Sequence, residues 1–321
     1  MSEPSNLENL KLQAASEVLR SRIATTEPMR PRLAISVSGG RSSVVMMRRC
    51  YELYGSTHDI LATFVNTGCE DDRTLRFMRD ADQHFASGMV VWIEAVVNGP
   101  GVGVGHKIVT YETADRNGGP MRAATAKHGV FGPTHPQCTS RLKEEPLLSF
   151  RRAYGWEDGS YDTAIGIRAD EADRISPKRK EKRFIYPLVS ENWRKRDVNE
   201  FMAQFDWDLD LPSDAWGNCK HCFKKSLRKL MTVAKAEPQA FDLPGELERK
   251  YGMLNKGDGE QPEPRVHYRG RLSAQDIVKM AFTEDFEPHT DKYEPQLSLF
   301  HQLPVLDIGS GCSDSCEAGH D

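Results

Sequence analysis

The sequence predicts an α/β protein: a doubly wound, mostly parallel sheet with helices on both faces. Three observations lead there. Short apolar runs alternate with helix-length segments from residue 33 onward, as βαβ units do. The first run, Leu33-Ala34-Ile35-Ser36-Val37, enters a glycine pair that opens a helical stretch. Two further runs, ILATFV at 60–65 and MVVWIEAVV at 89–97, follow at the spacing of one helix each.

Taken in order, Leu7, Leu10, Val18, Leu19 and Ile23 fall at helical spacing and predict an N-terminal arm over 7–23. A strand at 33–37, a helix at 42–54, a strand at 60–65, a helix at 71–85 and a strand at 89–97 come next. Residues 98–136 are rich in Gly and Pro and read as a substrate-side loop. A helix at 141–154, a strand at 162–167, a short extended piece at 184–189 and a helix at 197–205 complete the sheet region. After Pro212 the composition changes: Cys219, His221 and Cys222 precede a basic helix over 224–235. The last fifty residues are Pro-rich, weakly patterned, and end in a Gly/Ser/Cys tail. The expected organisation is an arm at 1–30, a sheet domain at 31–212, and a cysteine-bearing subdomain with a tail at 213–321.

Hydrophobic residues make up 38% and charged residues 28%, enough for a core and a hydrophilic surface. The net charge of −4 gives no global reason to bind nucleic acid or an anionic membrane. The basic run at 178–182 could touch phosphates locally, although such a run is ordinarily a solvated loop. The N-terminus lacks the apolar core of a signal peptide, and no stretch approaches a membrane span, so a cytoplasmic location is expected. There the seven cysteines would be reduced and free for metal or redox chemistry.

The segment SVSGGRSS, residues 36–43, sits between a strand and a helix. Gly39 and Gly40 let backbone approach an anion, and the N–H groups of the next helix point at it. Ser36, Ser38, Ser42 and Ser43 add hydroxyls and Arg41 a charge. The Lys-Ser/Thr ending of a Walker A loop is absent.

SGG-x-x-S after a first strand resembles the pyrophosphate loop of the adenine-nucleotide α-hydrolase-like (PP-loop) superfamily. Asn66, Thr67, Gly68 and Glu70 resemble the second-strand motif of one branch, the phosphoadenosine phosphosulfate (PAPS) reductases. This resemblance implies a Rossmann-like fold. It also implies an adenine nucleotide (PAPS, adenylyl sulfate (APS) or ATP, with Mg as a companion) at the loop. Ser42 replaces the usual Asp of the loop, a departure that suits the reductase branch better than the ATP pyrophosphatases. The element Gly166-Ile167-Arg168-Ala169-Asp170-Glu171-Ala172-Asp173-Arg174 resembles that family's anion-binding arginines, oriented by Asp170 and Glu171; its other reading is a salt-bridged surface turn.

Cys138 opens CTSRLKEEPL, and Cys219 and Cys222 form CKHC. A Cys-x-x-Cys turn presents two thiolates to one ion. Cys138, Lys143, Pro146, Leu147, Cys219 and Cys222 are similar in order and spacing to the iron–sulfur branch of the family. Thr139 stands where that branch has a second Cys, so three ligands carry over and one iron of a [4Fe–4S] cluster would stay open. Zinc, or three inert buried cysteines, are the other readings. Cys69 lies in the loop facing the nucleotide, where the family requires no Cys.

Family reductases carry a catalytic Cys on a C-terminal tail; Cys316, with Cys312, Glu317 and His320 nearby, is the counterpart expected here, with Lys143 and Arg168 as catalytic partners. Two activities follow from the resemblance. One is reduction of an adenylyl sulfate, with a thiol reductant protein as partner. The other is an ATP-dependent sulfurtransferase or nucleotidyl-activating enzyme acting on nucleic acid, which would meet Lys224, Lys225, Arg228 and Lys229. A non-catalytic nucleotide sensor is a third class. Self-association into a homo-oligomer is a further expectation. His221 is expected to point to solvent, and Trp193, Trp207 and Trp216 to pack the C-terminal subdomain.

Overall fold

The computed structural model describes residues 30–254, 263–264 and 268–291. The chain divides into a unit Met1–Pro31 and a unit Arg32–Asp321, and the sheet belongs to the second. The arm expected at 7–23 and the tail with Cys312 and Cys316 lie outside the described residues.

A six-stranded sheet has the order β4-β3-β2-β1-β5-β6, with strands β1 (Arg32–Val37), β2 (Asp59–Asn66), β3 (Val91–Val97), β4 (Val104–Val109), β5 (Asp162–Ala164) and β6 (Phe184–Ile185). All neighbours pair in parallel except β3 and β4. The chain steps outward from β1 to β2 and β3, then returns to the other side of β1 with β5. The sheet therefore reverses direction between β1 and β5, the place where open α/β sheets bind ligands.

Alternation along the strands fills both faces. Leu33, Ile35, Val37, Ala62 and Phe64 pack under α1 (Arg41–Tyr54) and α2 (Asp72–Ala86). Ala34, Leu61, Val65 and Ile93 point the other way, onto Phe150, Trp156 and Tyr161. Each such large apolar side chain stabilises the fold by about 1.5–3 kcal/mol on burial.

Several sequence expectations need correction. The stretch 98–136 contains β4, which forms a hairpin with β3, and α3 (Gly119–His128). Lys127 Nζ closes that hairpin turn by donating to the carbonyls of Gly99 at 3.0 Å and Val102 at 2.6 Å. Glycines at 99, 101, 103 and 105 hid the strand pattern. The segment 184–189 turns into helix after two residues because Pro187 stands at a first helical position. α4 (Glu145–Ala153) follows a wide helical turn at Ser140–Glu144, and α5 spans Lys195–Met202.

Beyond the sheet, α6 (Leu227–Ala236), α7 (Asp242–Tyr251) and α8 (Ala274–Thr283) surround a second core. That core joins Leu230, Val233, Phe241 and Ile277 to Ala95, Val104 and Ala124 from the sheet side. α8 lies in a region that reads as weakly patterned; its signal was the capping box of Ser273 and Asp276. The basic helix starts at Leu227, after the cap Ser226, and not at residue 224. Trp193 and Trp207 pack against the sheet core, while Trp216 belongs to the second core. No helix among the described residues is long and apolar enough to cross a membrane.

Candidate nucleotide loop and cysteine centre

β1 delivers the chain into residues 38–43 at the sheet's switch point. Gly39 has φ 82°, and a Cβ there would lie 2.6 Å from Thr74 Cγ2, so the position needs glycine on both counts. Gly40 caps α1 with no side-chain hydrogen bond, and the first turn holds no acidic residue. A Cβ on Gly40 would meet nothing nearer than Ser38 Oγ at 3.9 Å. The helix N-terminus thus faces open space, an arrangement that receives an anion.

Ser43 braces the turn from inside. Its hydroxyl accepts from Ser38 N–H and from Ser38 Oγ, each at 3.1 Å, and donates to the Gly40 carbonyl at 2.9 Å. Ser42 Oγ accepts from Arg168 Nη1 at 2.9 Å. Arg168 arrives from the carboxyl end of β5 through Gly166, where a Cβ would lie only 3.1 Å from Ser43 Cα. Asp170 takes Arg168 Nε at 3.1 Å, and Glu171 takes Nη1 at 3.2 Å and Arg174 Nη1 at 2.6 Å. The fork is therefore pre-set over the loop by carboxylates on its far side.

Two expected loop residues are engaged elsewhere. Arg41 forms a two-pronged pair with Asp208 at 2.8 and 2.9 Å and donates to Leu209 O. Ser36 lies within β1 and accepts from the buried Arg151 at 3.0 Å.

The loop after β2 joins the two halves of the site. Asn66 is fully buried and donates to Glu94 at 2.7 Å and to the Asp115 carbonyl at 2.8 Å. Glu70 accepts from Thr67 N–H, Thr67 Oγ1 and Cys69 N–H, which closes the 67–70 turn on itself. Glu70 then pairs across an isolated antiparallel bridge with Cys219, and Lys220 N–H donates to the Cys69 carbonyl at 3.3 Å. Four residues on from Glu70, Thr74 packs on Gly39.

Cys138, Cys219 and Cys222 line one cavity of about 60 Å³ together with apolar walls from Met121, Phe131 and Leu247. The Cys69 thiol donates to the Cys219 sulfur, and this holds the Cys219 pKa down to about 7 against its burial. The same hydrogen bond, then burial, pushes Cys69 well up. Burial and the neighbouring Cys222 and Cys219 push Cys138 up to about 11. Cys219 is thus the sulfur held closest to thiolate. Burial pulls Lys143 down, but Cys219, Glu70, Cys222 and Cys138 more than offset it and leave its pKa raised. Lys225 is lowered to about 8 by burial and donates to the carbonyls of Ala215 at 2.6 Å and Lys220 at 3.1 Å.

His221 does not point to solvent: it is buried, lines the cavity, and its pKa falls to about 4 through burial and the nearby Lys225. The basic surface expected at the start of α6 is also reduced, because two of its four cations are not at the surface. Lys225 and Lys229 are buried at 2% and 1% exposure, Lys229 pairs with Asp214, and Arg228 donates to the Glu287 and Pro288 carbonyls. A charge count along the sequence cannot distinguish lysines that neutralise a buried centre from lysines that meet phosphates.

Among the described residues, Asp214, His289 and Asp291 form a group whose ligand atoms all lie within 4.8 Å of one another; the cysteines form no such group. Asp214 already receives the Lys229 ammonium, so this knot holds a cation of its own. A tetrahedral zinc with Zn–S bonds of about 2.3 Å holds sulfurs about 3.8 Å apart. Cysteines lining one cavity at wider spacing suit a group in which each sulfur takes a different iron. The all-sulfur donor set, the apolar walls and the adjacent Lys143 and Lys225 fit such a cluster.

No protein-family model matches the chain. The chain is 29% identical over 293 residues to an uncharacterized nin region protein, ORF290, of Escherichia phage lambda, covering 88% of this chain and 93% of the relative. Among solved structures, it is similar to the U34-tRNA thiolase NcsA from Methanococcus maripaludis with its [4Fe–4S] cluster. The identity there is 15% and the TM-score 0.35, over 94% of this chain and 86% of the other. A likeness at that level carries no argument, and the reading of the site rests on the geometry above.

Proposed function

We propose that the chain is a PP-loop enzyme that binds an adenine nucleotide at 38–43 and uses it in sulfur transfer at the adjoining cysteine centre. The observation that carries this reading is the segment from Asn66 to Thr74. Thr74 at its end packs on Gly39 of the anion loop, and Glu70, four residues earlier, bridges to Cys219. A nucleotide on the loop and a sulfur held at the cysteines would therefore face the same end of the sheet.

In this reading, the N–H groups at the start of α1 and the Arg168 fork hold the phosphates. Asp170 and Glu171 keep that fork in place. Cys138, Cys219 and Cys222 hold the metal, and Lys143 offsets the charge of the thiolates. When bound, an iron–sulfur cluster supplies sulfide or electrons to the chemistry. ATP is the nucleotide expected, split to AMP and pyrophosphate as it activates the sulfur acceptor. Adenylyl-sulfate reduction is the second reading. It is favoured by the pre-set Arg168 fork, which suits a sulfate as well as a phosphate, and it needs a thiol nucleophile, the role Cys316 would fill.

Titration calorimetry with ATP, adenylyl sulfate and phosphoadenylyl sulfate tests the proposal. Gly40→Val should weaken the preferred nucleotide by about 100-fold, or about 2.7 kcal/mol, with unchanged thermal stability, because the space the side chain enters holds no protein atom closer than 3.9 Å. Equal binding by wild type and variant would reduce the loop to a structural corner. Sulfite release from adenylyl sulfate, without pyrophosphate release from ATP, would select the second reading.

A further inference from the structure

We propose that Cys69 is the fourth sulfur ligand of the centre formed by Cys138, Cys219 and Cys222. This deepens the metal reading above and rests on it. Three sulfurs come from the cavity wall, and the position after Cys138 offers none. Thr139 is buried at 4% exposure and takes a hydrogen bond from Lys224 Nζ at 3.5 Å. Cys69 is far from these residues in sequence, but its chain runs beside Cys219, with the Cys69 carbonyl accepting from Lys220 N–H at 3.3 Å and the next residue, Glu70, bridging to Cys219.

The backbone enforces that meeting independently of the sulfurs. The Glu70–Cys219 bridge and the hydrogen bond from Lys220 N–H to the Cys69 carbonyl clamp the two strands of chain side by side. Side-chain rotation alone can then turn Cys69 about its partner.

Among the described residues, the rival donors are engaged elsewhere. Both Glu70 oxygens are taken by Thr67, and one also by Cys69 N–H. The His221 ring bonds the Ala240 backbone. Cys50 sits inside α1, fully buried against Met46 at 3.7 Å. Cys69 is itself buried at 5% exposure, and none of the contacts of the anion loop use its sulfur. A thiolate there would close the iron that a three-cysteine cluster leaves open. It would also tie the metal directly to the loop that follows β2.

The test uses the full chain, purified without oxygen and with its metal content measured. Native alkylation followed by peptide mapping should find Cys69 protected together with Cys138, Cys219 and Cys222. All four should become reactive together when a chelator or an iron oxidant strips the metal. Cys69→Ser should lower retained iron from about four per chain towards three, or, if zinc is bound, weaken zinc by more than the 10–100-fold typical of a lost outer-shell partner. Cys50→Ser, an equally buried thiol, should retain its metal. Circular dichroism of the stripped Cys69→Ser protein, matching that of stripped wild type, separates ligand loss from misfolding.

Metal present with Cys69 alkylated while the other three stay protected overturns the proposal and leaves the metal reading intact. Cys69 that stays unreactive after the metal is gone also overturns it, since burial alone then explains its protection. A Cys69–Cys219 disulfide in the anaerobic protein overturns it as well. No bound metal at all defeats both readings together.

Discussion

The two cores of this protein keep their shape by different means. Under α1 and α2, the sheet buries Leu33, Ile35, Val37 and Phe64 in regular alternation, and almost every contact is apolar. Around the cysteines, the chain makes loops, and side-chain donors hold them. Lys225 donates to the carbonyls of Ala215 and Lys220, Tyr268 to that of His221, and Arg269 to those of Phe223 and Lys225. The sheet core draws on area removed from water. The cysteine core draws on satisfied carbonyls, which fix the 219–225 loop. Such a loop presents its sulfurs at little entropic cost, but each donor is indispensable, because an orphaned buried carbonyl costs about 1–3 kcal/mol.

The largest expected effect breaks the apolar side of this contrast. Phe64→Ala removes a fully buried ring that packs edge-on against Trp92 at 4.7 Å, and should cost about 3–5 kcal/mol in denaturant unfolding. A loss below 1 kcal/mol would mean that the sheet core is not the main source of stability.

Lys225→Met probes the other side. Two carbonyls lose their donor, partly offset by removal of a buried charge, so about 2–3 kcal/mol should go. Hydrogen exchange should quicken at the amides of 219–225, while those of β1 and β2 stay protected. Uniform quickening across both regions would show that the two cores do not rest on separate supports.

The smallest effect concerns the one carboxylate that fits the sheet core poorly. Asp82, in α2, is raised to about 6 by burial, although the Val90 N–H donates to it at 2.9 Å. Its folded pKa lies above the usual carboxylate value. Its favourable contribution is therefore complete below about pH 4 and lost as the pH rises through 6. Asp82→Asn should stabilise the protein by up to about 2–3 kcal/mol at pH 8 and not at all near pH 3.5. A gain independent of pH would place the effect in packing rather than in protonation.

The same contrast explains what could be read in the sequence. Strands β1 to β3 and helices α1 and α2 were legible because their apolar residues are continuous or periodic. The glycine turn at 38–43 was legible because Gly39 has a backbone reason to be glycine. The Cys219–Cys222 pair was legible from its Cys-x-x-Cys spacing, whereas the place of Cys138 beside it on one cavity was implied only by the family resemblance. What failed had no local signature. The burial of Lys225 and Lys229, the pairing of Arg41 with Asp208, and the meeting of Cys69 with Cys219 each involve a partner ten or more residues away in sequence. His221 was misread for the same reason: a histidine between two cysteines carries no mark of which side is dry.

Finally, consider the rims of the sheet. On one side it ends in β6, only two residues long. On the other it ends in β4, where the half-exposed Lys107 pairs with Glu94 and the Val104 N–H is already given to Glu145 at 3.3 Å. A two-residue strand and a lysine-bearing one are poor templates for an incoming strand. If copies of this chain assemble, the contact should therefore come from helices or from the cysteine core, and the sheet should resist the edge-to-edge stacking that leads to fibrils.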